Sequence, residues 1–282
     1  VIRVQGRHDR AKLTASEDQL FDDIFDDDVN VAKQYAACSG GKLVLKPASS
    51  ELSPNIHNGI VTVVLKTVIG RSTEDILDEI ETISQTTNFF GKELGAFDKV
   101  MVCMPKGTLA RGKEDWLAFA PGKLPYIHYM TFYNDEWCSS VSAAMHEIGH
   151  NLGLQHAGES NAYDDESGQM GYSSQTELGP KKCFNPAKSW QLGWYTDRSL
   201  RMNPSMDAPM MAVLTGLGYT NEKSSSTRVL DNDPPSLVLL QVANGDSDLH
   251  IGYNRKKGFN SGTEEGADQL LITEQKPGGL QP

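Results

Sequence analysis

The segment HEIGHNLGLQH, residues 146–156, constrains this chain more than any other part of it. On a helix the positions i and i+4 lie one above the other, so His146 and His150 can present two imidazoles to one ion. Gly153 predicts the end of that helix, because glycine accepts the left-handed backbone that stops it, and the chain can then turn back to deliver His156. Three neutral nitrogen ligands leave a fourth position for water, which is typical of catalytic rather than structural zinc. We therefore predict one catalytic Zn²⁺ ion held by these three histidines.

Glu147 follows the first predicted ligand directly and can reach a water molecule on the metal. Zinc lowers the pKa of such a water towards neutrality, so that Glu147 can accept its proton as it attacks a carbonyl carbon. The competing interpretation, in which the histidines are ordinary core or surface residues, requires five infrequent residues to match this spacing by chance. The remaining histidines have no ligand spacing and are interpreted as structural.

Apolar periodicity predicts an α/β arrangement around this segment. The expected strands before the histidines are 42–48, 59–69, 99–104, 116–120 and 126–133, and the expected helices are 73–90, 139–152 and 186–192. From about residue 201 short strand-like runs are broken by Gly, Pro, Asn and Asp. We predict an N-terminal remnant or linker over 1–35 (such as the tail of a pro-segment), a catalytic domain over 36–200 and a β-rich C-terminal module over 201–282.

Composition narrows the range of partners. The formal net charge of −11 argues against nucleic acid, because a phosphate-binding surface needs a basic footprint. No run approaches the roughly 20 apolar residues that a membrane-spanning helix needs. The expected partner is therefore a protein substrate, with neither nucleic acid nor a membrane span, and the oligomeric state stays open.

Four cysteines are present, namely Cys38, Cys103, Cys138 and Cys183, and none of them has metal-ligand spacing. The even number suits two disulfides in an exported protein, and four buried thiols are the alternative. Three connectivities are open. Cys138 begins the predicted active-site helix and Cys183 precedes the next helix, which favours pairing of these two and leaves Cys38 to bridge Cys103. A third interpretation has Cys38 capping the zinc as an inhibitory thiolate.

The histidine segment resembles the elongated zinc-binding consensus of the metzincin proteases. Those enzymes also have a Met-turn beneath the metal ligands, and Met170 in GQMGY (168–172) is the matching residue here. A plain core methionine is the alternative. The resemblance implies an α/β (α+β) metzincin catalytic domain, with a twisted mixed sheet, two helices above the cleft and a smaller, mostly irregular lower lobe that ends in a helix. A β-rich C-terminal module would follow.

More narrowly, the chain resembles the gametolysin family of cell-wall-lytic metalloproteases. The likeness extends over most of residues 34–270, through QYAACSGGKL (34–43), VMVCMPKGT (100–108), FYNDEWCSSVSAAMHEIGHNLGLQHAGE (132–159), DESGQMGYS (165–173), CFNPAKSWQLGWY (183–195) and LHIGYNRKKGFNSGTEEGADQ (249–269). It implies a secreted zinc endopeptidase that acts on extracellular or cell-wall glycoproteins. The opening residues VIRVQGRHDR have no apolar stretch typical of a signal peptide, so we expect no signal region within these residues.

Tyr172 stands two residues after Met170, where the astacin-like and serralysin-like metzincins carry a tyrosine whose hydroxyl reaches the metal site. By that analogy it is a further catalytic candidate, which would donate a hydrogen bond to the developing oxyanion. The alternative is a tyrosine packed under the turn with its hydroxyl bonded to the backbone. Asp165 and Ser167 match the family's Asp-x-Ser before the turn, but an acidic loop residue is more often solvated or capping than catalytic.

Two other functions compete with a broad endopeptidase. One is a non-catalytic matrix- or wall-binding protein that retains a metzincin shell. The retained Glu147 argues against it, because a retired site has no need of a base. The other is a zinc peptidase directed at a single processing site.

Overall fold

The computed structural model of the chain describes residues 1–121, 127–158, 160–172, 181–218 and 234–275. Within these residues the architecture is mixed α/β, and no helix there is both long and apolar enough to cross a bilayer. The residues group into two compact units. The first comprises residues 1–32 and 45–153, and the second comprises residues 33–44 and the described residues from 154 onwards. This mixed α/β architecture is compatible with the metzincin-like domain expected from the sequence.

A five-stranded mixed sheet is the framework of the first unit. Its strands are β1 (Ile2–Gly6), β2 (Val61–Leu65), β3 (Val100–Met104), β4 (Ala118–Phe119) and β5 (Met130–Asn134). They lie in the order β2-β1-β3-β5-β4, with parallel pairing throughout except at β4, which adds to the edge antiparallel to β5. Four of the five strands expected before the histidine segment are thereby confirmed, with shorter or shifted bounds.

One face of this sheet is covered by an amphipathic helix, α3 (Thr73–Thr86), which follows the shorter helices α1 (Glu17–Phe21) and α2 (Val31–Cys38). The side chain of Ser72 caps α3 by accepting a hydrogen bond from the Asp75 amide at 3.0 Å. The apolar residues of α3 recur at helical spacing and share one core cluster with alternate residues of the strands. The cluster includes Ile76, Leu77, Ile80, Ile2, Val63, Val102, Met130 and Phe132.

The prediction that residues 1–35 form a linker outside the core is wrong for the start of the chain. Ile2–Gly6 is β1, which lies between β2 and β3, and both Ile2 and Val4 are buried. The Arg3 side chain donates hydrogen bonds to the carbonyls of Leu13 and Ala15, which holds the following segment against the strand. A five-residue strand among charged residues has a weak local signal, because its burial comes from neighbours far away in sequence. The bounds 36–200 and 201–282 concern separate domains and stay a prediction.

The strand expected at 42–48 is also wrong, since these residues form an irregular connection. Val44 is 56% exposed, so the β-branched character that suggests a strand is not used for packing there. No partner strand lies beside this segment in the described part of the chain. A β-propensity signal without a neighbour to pair with does not make a strand.

The second unit contains a four-stranded sheet, a two-stranded pair and a short helix. Its elements are α5 (Pro186–Gln191), β6 (Ser199–Met202), β7 (Val213–Leu214), β8 (Ser236–Leu237), β9 (Leu239–Asn244), β10 (Ser247–Tyr253) and β11 (Leu270–Gln275). The larger sheet has the order β11-β10-β9-β6, and β7 pairs with β8. The helix expected near residues 186–192 and the strand-rich character after residue 201 are confirmed.

Two disulfides are present, and the pairing expected from the sequence is wrong. Cys38 pairs with Cys183 at a Cα–Cα distance of 5.3 Å, and Cys103 pairs with Cys138 at 5.6 Å. Residues 33–44 belong to the second unit, which brings Cys38 to Cys183 across 145 residues of sequence. Cys103 at the end of β3 and Cys138 after β5 are close because β3 and β5 pair side by side. The disulfide also excludes the free Cys38 thiolate.

Candidate metal centre

The helix that carries the first two histidines is α4 (Val141–Asn151). The Ser140 hydroxyl caps it by accepting a hydrogen bond from the Ala143 amide at 3.2 Å. Every residue from Val141 to Gly149 is buried, as expected for a helix packed within a core. The expectation of a helix over 139–152 is confirmed.

Two contacts fix α4 against the sheet of the first unit. The disulfide from Cys138, three residues before α4, joins Cys103 on β3. At the other end, the Asn151 side-chain amide donates a 2.9 Å hydrogen bond to the carbonyl of Met130 on β5. Both ends of the helix are therefore anchored to strands, which limits how far its side chains can shift.

Gly153 ends the helical path, as the sequence predicts. Its φ of +91° lies in the region that favours glycine, and its amide donates to the His150 carbonyl at 3.0 Å. The Leu152 amide also closes the last turn by bonding to the carbonyls of Ile148 and Gly149. A β-carbon at position 153 would strain this backbone, so the glycine is needed for the turn that leads to His156.

His146, His150 and His156 form the group that could hold a metal ion. Each offers one ring nitrogen, and these nitrogens lie within 4.8 Å of one another. His146 is buried, while His150 and His156 are half-buried. Nitrogens around a tetrahedral zinc at about 2.0–2.1 Å would be separated by about 3.4 Å, which lies within this 4.8 Å limit. Three neutral imidazoles fit zinc well and fit the oxygen-seeking ions Mg²⁺ and Ca²⁺ poorly.

Glu147 is buried beside this group, with only 8% of its surface exposed. Burial raises the pKa of its carboxyl to about 8, and a hydrogen bond from the Ala120 amide, next to β4, opposes that rise. A cation at the neighbouring histidines would also favour the ionised form. The carboxylate is thus held by the edge of the sheet and largely withdrawn from solvent.

The structure adds two polar residues beneath α4 that the sequence analysis does not single out. Thr131 and Tyr133 on β5 are both buried, at 1% and 0% exposure. Burial raises the pKa of Tyr133 well above its usual value. The nearby Thr131 side chain acts to lower this pKa, and the Glu147 carboxylate acts to raise it further. The hydroxyls of Thr131 and Tyr133 lie near one another without reaching hydrogen-bond geometry. Their alternation with Met130 and Phe132 was the available sequence signal, since it places both on one face of the strand.

Met170 lies in a turn and is fully buried. Its carbonyl accepts a 2.9 Å hydrogen bond from the Ala157 amide, so the residue after His156 is tied directly to the turn. The ring centre of Tyr163 also lies 4.2 Å from the ring centre of His156. The turn therefore helps to place the backbone that carries the third histidine.

Lys182 closes this turn from the other side, which the sequence analysis does not predict. Its buried ammonium donates to the carbonyls of Glu166 at 2.8 Å and Tyr172 at 2.9 Å, which bracket Met170. Burial lowers the pKa of Lys182, and the nearby carboxylates, led by that of Asp165, oppose this shift. A lysine among polar residues gives no sequence signal for such a role.

Asp165 accepts hydrogen bonds from its own loop and from the residue that precedes α5. One of its carboxylate oxygens accepts from the amide and hydroxyl of Ser167, and the other accepts from the Asn185 side chain at 2.7 Å. Asn185 in turn caps α5. These bonds tie the Met170 turn to the helix that follows it.

Tyr172 has 49% of its surface exposed, so it is not packed under the turn. Its amide donates to the Tyr163 carbonyl at 2.9 Å, which fixes its backbone while the side chain extends into solvent. This exposure excludes the packed alternative for Tyr172, and the catalytic role stays a prediction.

Comparison with known proteins identifies the family. The family model described as gametolysin peptidase M11 matches residues 11–228, which is most of the chain. The chain belongs to the gametolysin family. Membership supports a metallopeptidase, a hydrolase whose substrate is protein, and the histidine group supplies a site that could bind the metal. No curated protein gives a significant match to the gametolysin-like chain.

Proposed function

We propose that this member of the gametolysin family is a zinc-dependent endopeptidase of the metzincin type. The observation that carries the proposal is the convergence of His146, His150 and His156, whose ligand nitrogens lie within 4.8 Å of one another. In the proposed site these residues hold one zinc ion, with Met170 in the Met-turn. The paired cysteines are compatible with an oxidising environment, so we further propose a secreted enzyme that acts on extracellular or cell-wall glycoproteins.

The proposed chemistry is hydrolysis of a peptide bond by an activated water. Bound zinc supplies Lewis acidity, which activates water and polarises a carbonyl group. Glu147 accepts the proton of the attacking water and then passes it to the leaving amine nitrogen. Its burial beside the ligands excludes competing solvent, and the Ala120 amide orients its carboxylate.

Glu147→Ala tests the base directly. The variant should fold and bind zinc as the wild type does, because Glu147 is not a ligand, while peptide hydrolysis falls by about 10²–10⁴-fold. Zinc content and casein cleavage are measured on the same sample, with and without a chelator. Glu166→Ala, which changes a glutamate outside the histidine segment, is the control. Substantial hydrolysis by Glu147→Ala would contradict its role.

The same assay separates the competing functions. A non-catalytic binding protein would hold zinc without cleaving casein, and the wild type would then behave as Glu147→Ala does. A peptidase directed at one processing site would leave casein intact and cleave few members of a peptide library. Chelator-sensitive cleavage of many library members supports the proposed endopeptidase.

A further inference from the structure

Tyr133 lies on the face of the sheet on which α4 packs. Neighbouring residues of a strand point to opposite faces, and Met130 and Phe132 on β5 belong to the core cluster shared with α3. Tyr133 therefore points to the other face. In the sheet it pairs with Cys103, whose disulfide leads to Cys138, three residues before α4. The tyrosine is thus under the helix that carries Glu147.

The neighbouring edge strand places Tyr133 more closely. Tyr133 pairs with Ala118 on β4, and the antiparallel register carries Ala120 towards Thr131, the residue two before Tyr133 on the same face of β5. The Ala120 amide donates a hydrogen bond to Glu147. The Glu147 carboxylate therefore lies over the end of β4, beside the face of β5 that carries Thr131 and Tyr133.

Among the described residues, the Tyr133 hydroxyl forms no hydrogen bond that stabilises the fold. It is fully buried, and its nearest polar neighbour, the equally buried Thr131 hydroxyl, does not reach hydrogen-bond geometry with it. An unpartnered buried hydroxyl costs folding free energy, whereas phenylalanine would fill the same space without that cost. The charged group that acts on the hydroxyl is the Glu147 carboxylate. A polar group retained at such a place suits a donor that the site uses during turnover.

We propose that Tyr133 is a positioning residue for Glu147, whose carboxylate receives a hydrogen bond from the Tyr133 hydroxyl below while the Ala120 amide donates from the edge strand. The inference rests on the proposed function, in which Glu147 moves the proton. When both donors bind the same carboxylate oxygen, the other oxygen stays free to accept the proton of the water. Hydrogen bonds in catalytic sites are often long in the resting structure and tighten only with substrate bound. Tyr133 itself transfers no proton and touches neither substrate nor metal.

Tyr133→Phe is the decisive variant because it removes the hydroxyl alone. We expect kcat to fall by about 10- to 100-fold, the effect of losing a hydrogen bond to a charged group. KM and zinc content should stay as in the wild type, because binding of substrate and metal does not use this hydroxyl. The midpoint of thermal unfolding should be unchanged or higher, since no hydrogen bond of the resting protein is lost.

Tyr195→Phe is the matched control, because Tyr195 is also buried but its hydroxyl donates to the Cys38 carbonyl. It should lower the unfolding midpoint and leave kcat unchanged. Wild-type kcat in Tyr133→Phe would overturn the inference, as would a loss of kcat that comes with lost zinc or a lower unfolding midpoint. Glu147→Ala distinguishes a failure of the proposed base from a failure of the proposed role of Tyr133. If it remains active, the proposed base is wrong; if it is inactive while Tyr133→Phe turns over normally, only the role of Tyr133 fails.

Discussion

His156 is the one histidine of the three that does not lie on α4, so its removal tests whether the turn after Gly153 delivers a ligand. We expect His156→Ala to lower zinc affinity by more than about 100-fold, because two imidazoles alone hold zinc poorly. Zinc retained after mild chelation is the measurement. His57→Ala, which changes an exposed histidine, should retain its zinc. Unchanged stoichiometry in His156→Ala would remove His156 from the ligand set.

Tyr172 offers a second test on a single residue, because its exposed side chain is free of packing duties. If its hydroxyl donates to the oxyanion of the transition state, Tyr172→Phe should lower kcat by about 10²–10³-fold with zinc retained. Tyr253→Phe serves as the control. Wild-type turnover in Tyr172→Phe would show that its hydroxyl has no part in catalysis.

Among the elements, the connections after β1 and β2 depend on one carboxylate. Asp9 accepts hydrogen bonds from the amides of Val68, Ile69 at 2.8 Å and Ala11 at 3.2 Å. Desolvation acts to raise the pKa of Asp9, but the backbone donors outweigh it, and the net pKa is lowered. The ionised carboxylate therefore holds two loops of the first unit together.

This arrangement predicts a loss of stability in acid. Because the folded-state pKa of Asp9 is below its unfolded value of about 3.9, its contribution is fully present above that pH. The contribution is lost as the pH falls through the lowered folded-state value. Asp9→Asn should lower the unfolding midpoint at pH 7 by about 2–4 °C, and the difference should shrink below about pH 4. Asp246→Asn, at an exposed site, should show no such difference, and a pH-independent deficit in Asp9→Asn would exclude the linkage.

The elements that sequence predicts best are those whose signals are local. Both α3 and α4 combine a capping serine with helical spacing of apolar residues, and both form as expected. Two predictions fail in opposite directions: β1 forms where a linker is predicted, and residues 42–48 are irregular where a strand is predicted. In both cases the outcome depends on whether distant strands pair with the segment. The histidines of the site share one short motif, which makes them predictable. The position of Tyr133 beside Cys103 and Ala118 depends on how β5 pairs with β3 and β4, which the sequence does not encode locally.

Over the whole molecule, the disulfides fasten segments that are far apart in sequence, with one disulfide inside each compact unit. Cys103–Cys138 links residues 35 apart and lies within the first unit. Cys38–Cys183 links residues 145 apart and lies within the second unit. In the second unit the Cys183 carbonyl also accepts from the Gln169 amide, beside Met170. The longer link therefore supports the segment that holds the Met170 turn.

Removing each disulfide by a pair of alanine substitutions should destabilise the protein according to the loop it closes. The chain-entropy estimate is about 5 kcal/mol for Cys38→Ala with Cys183→Ala and about 4 kcal/mol for Cys103→Ala with Cys138→Ala. Denaturant unfolding followed by tryptophan fluorescence measures both, and peptide mapping without reductant checks the pairs in the wild type. Only the first variant should also lose protection from hydrogen exchange around Gln169 and Met170, because it releases Cys183, whose carbonyl holds that turn. A peptide that joins Cys138 to Cys183, or equal protection of the turn in the two variants, would contradict this account.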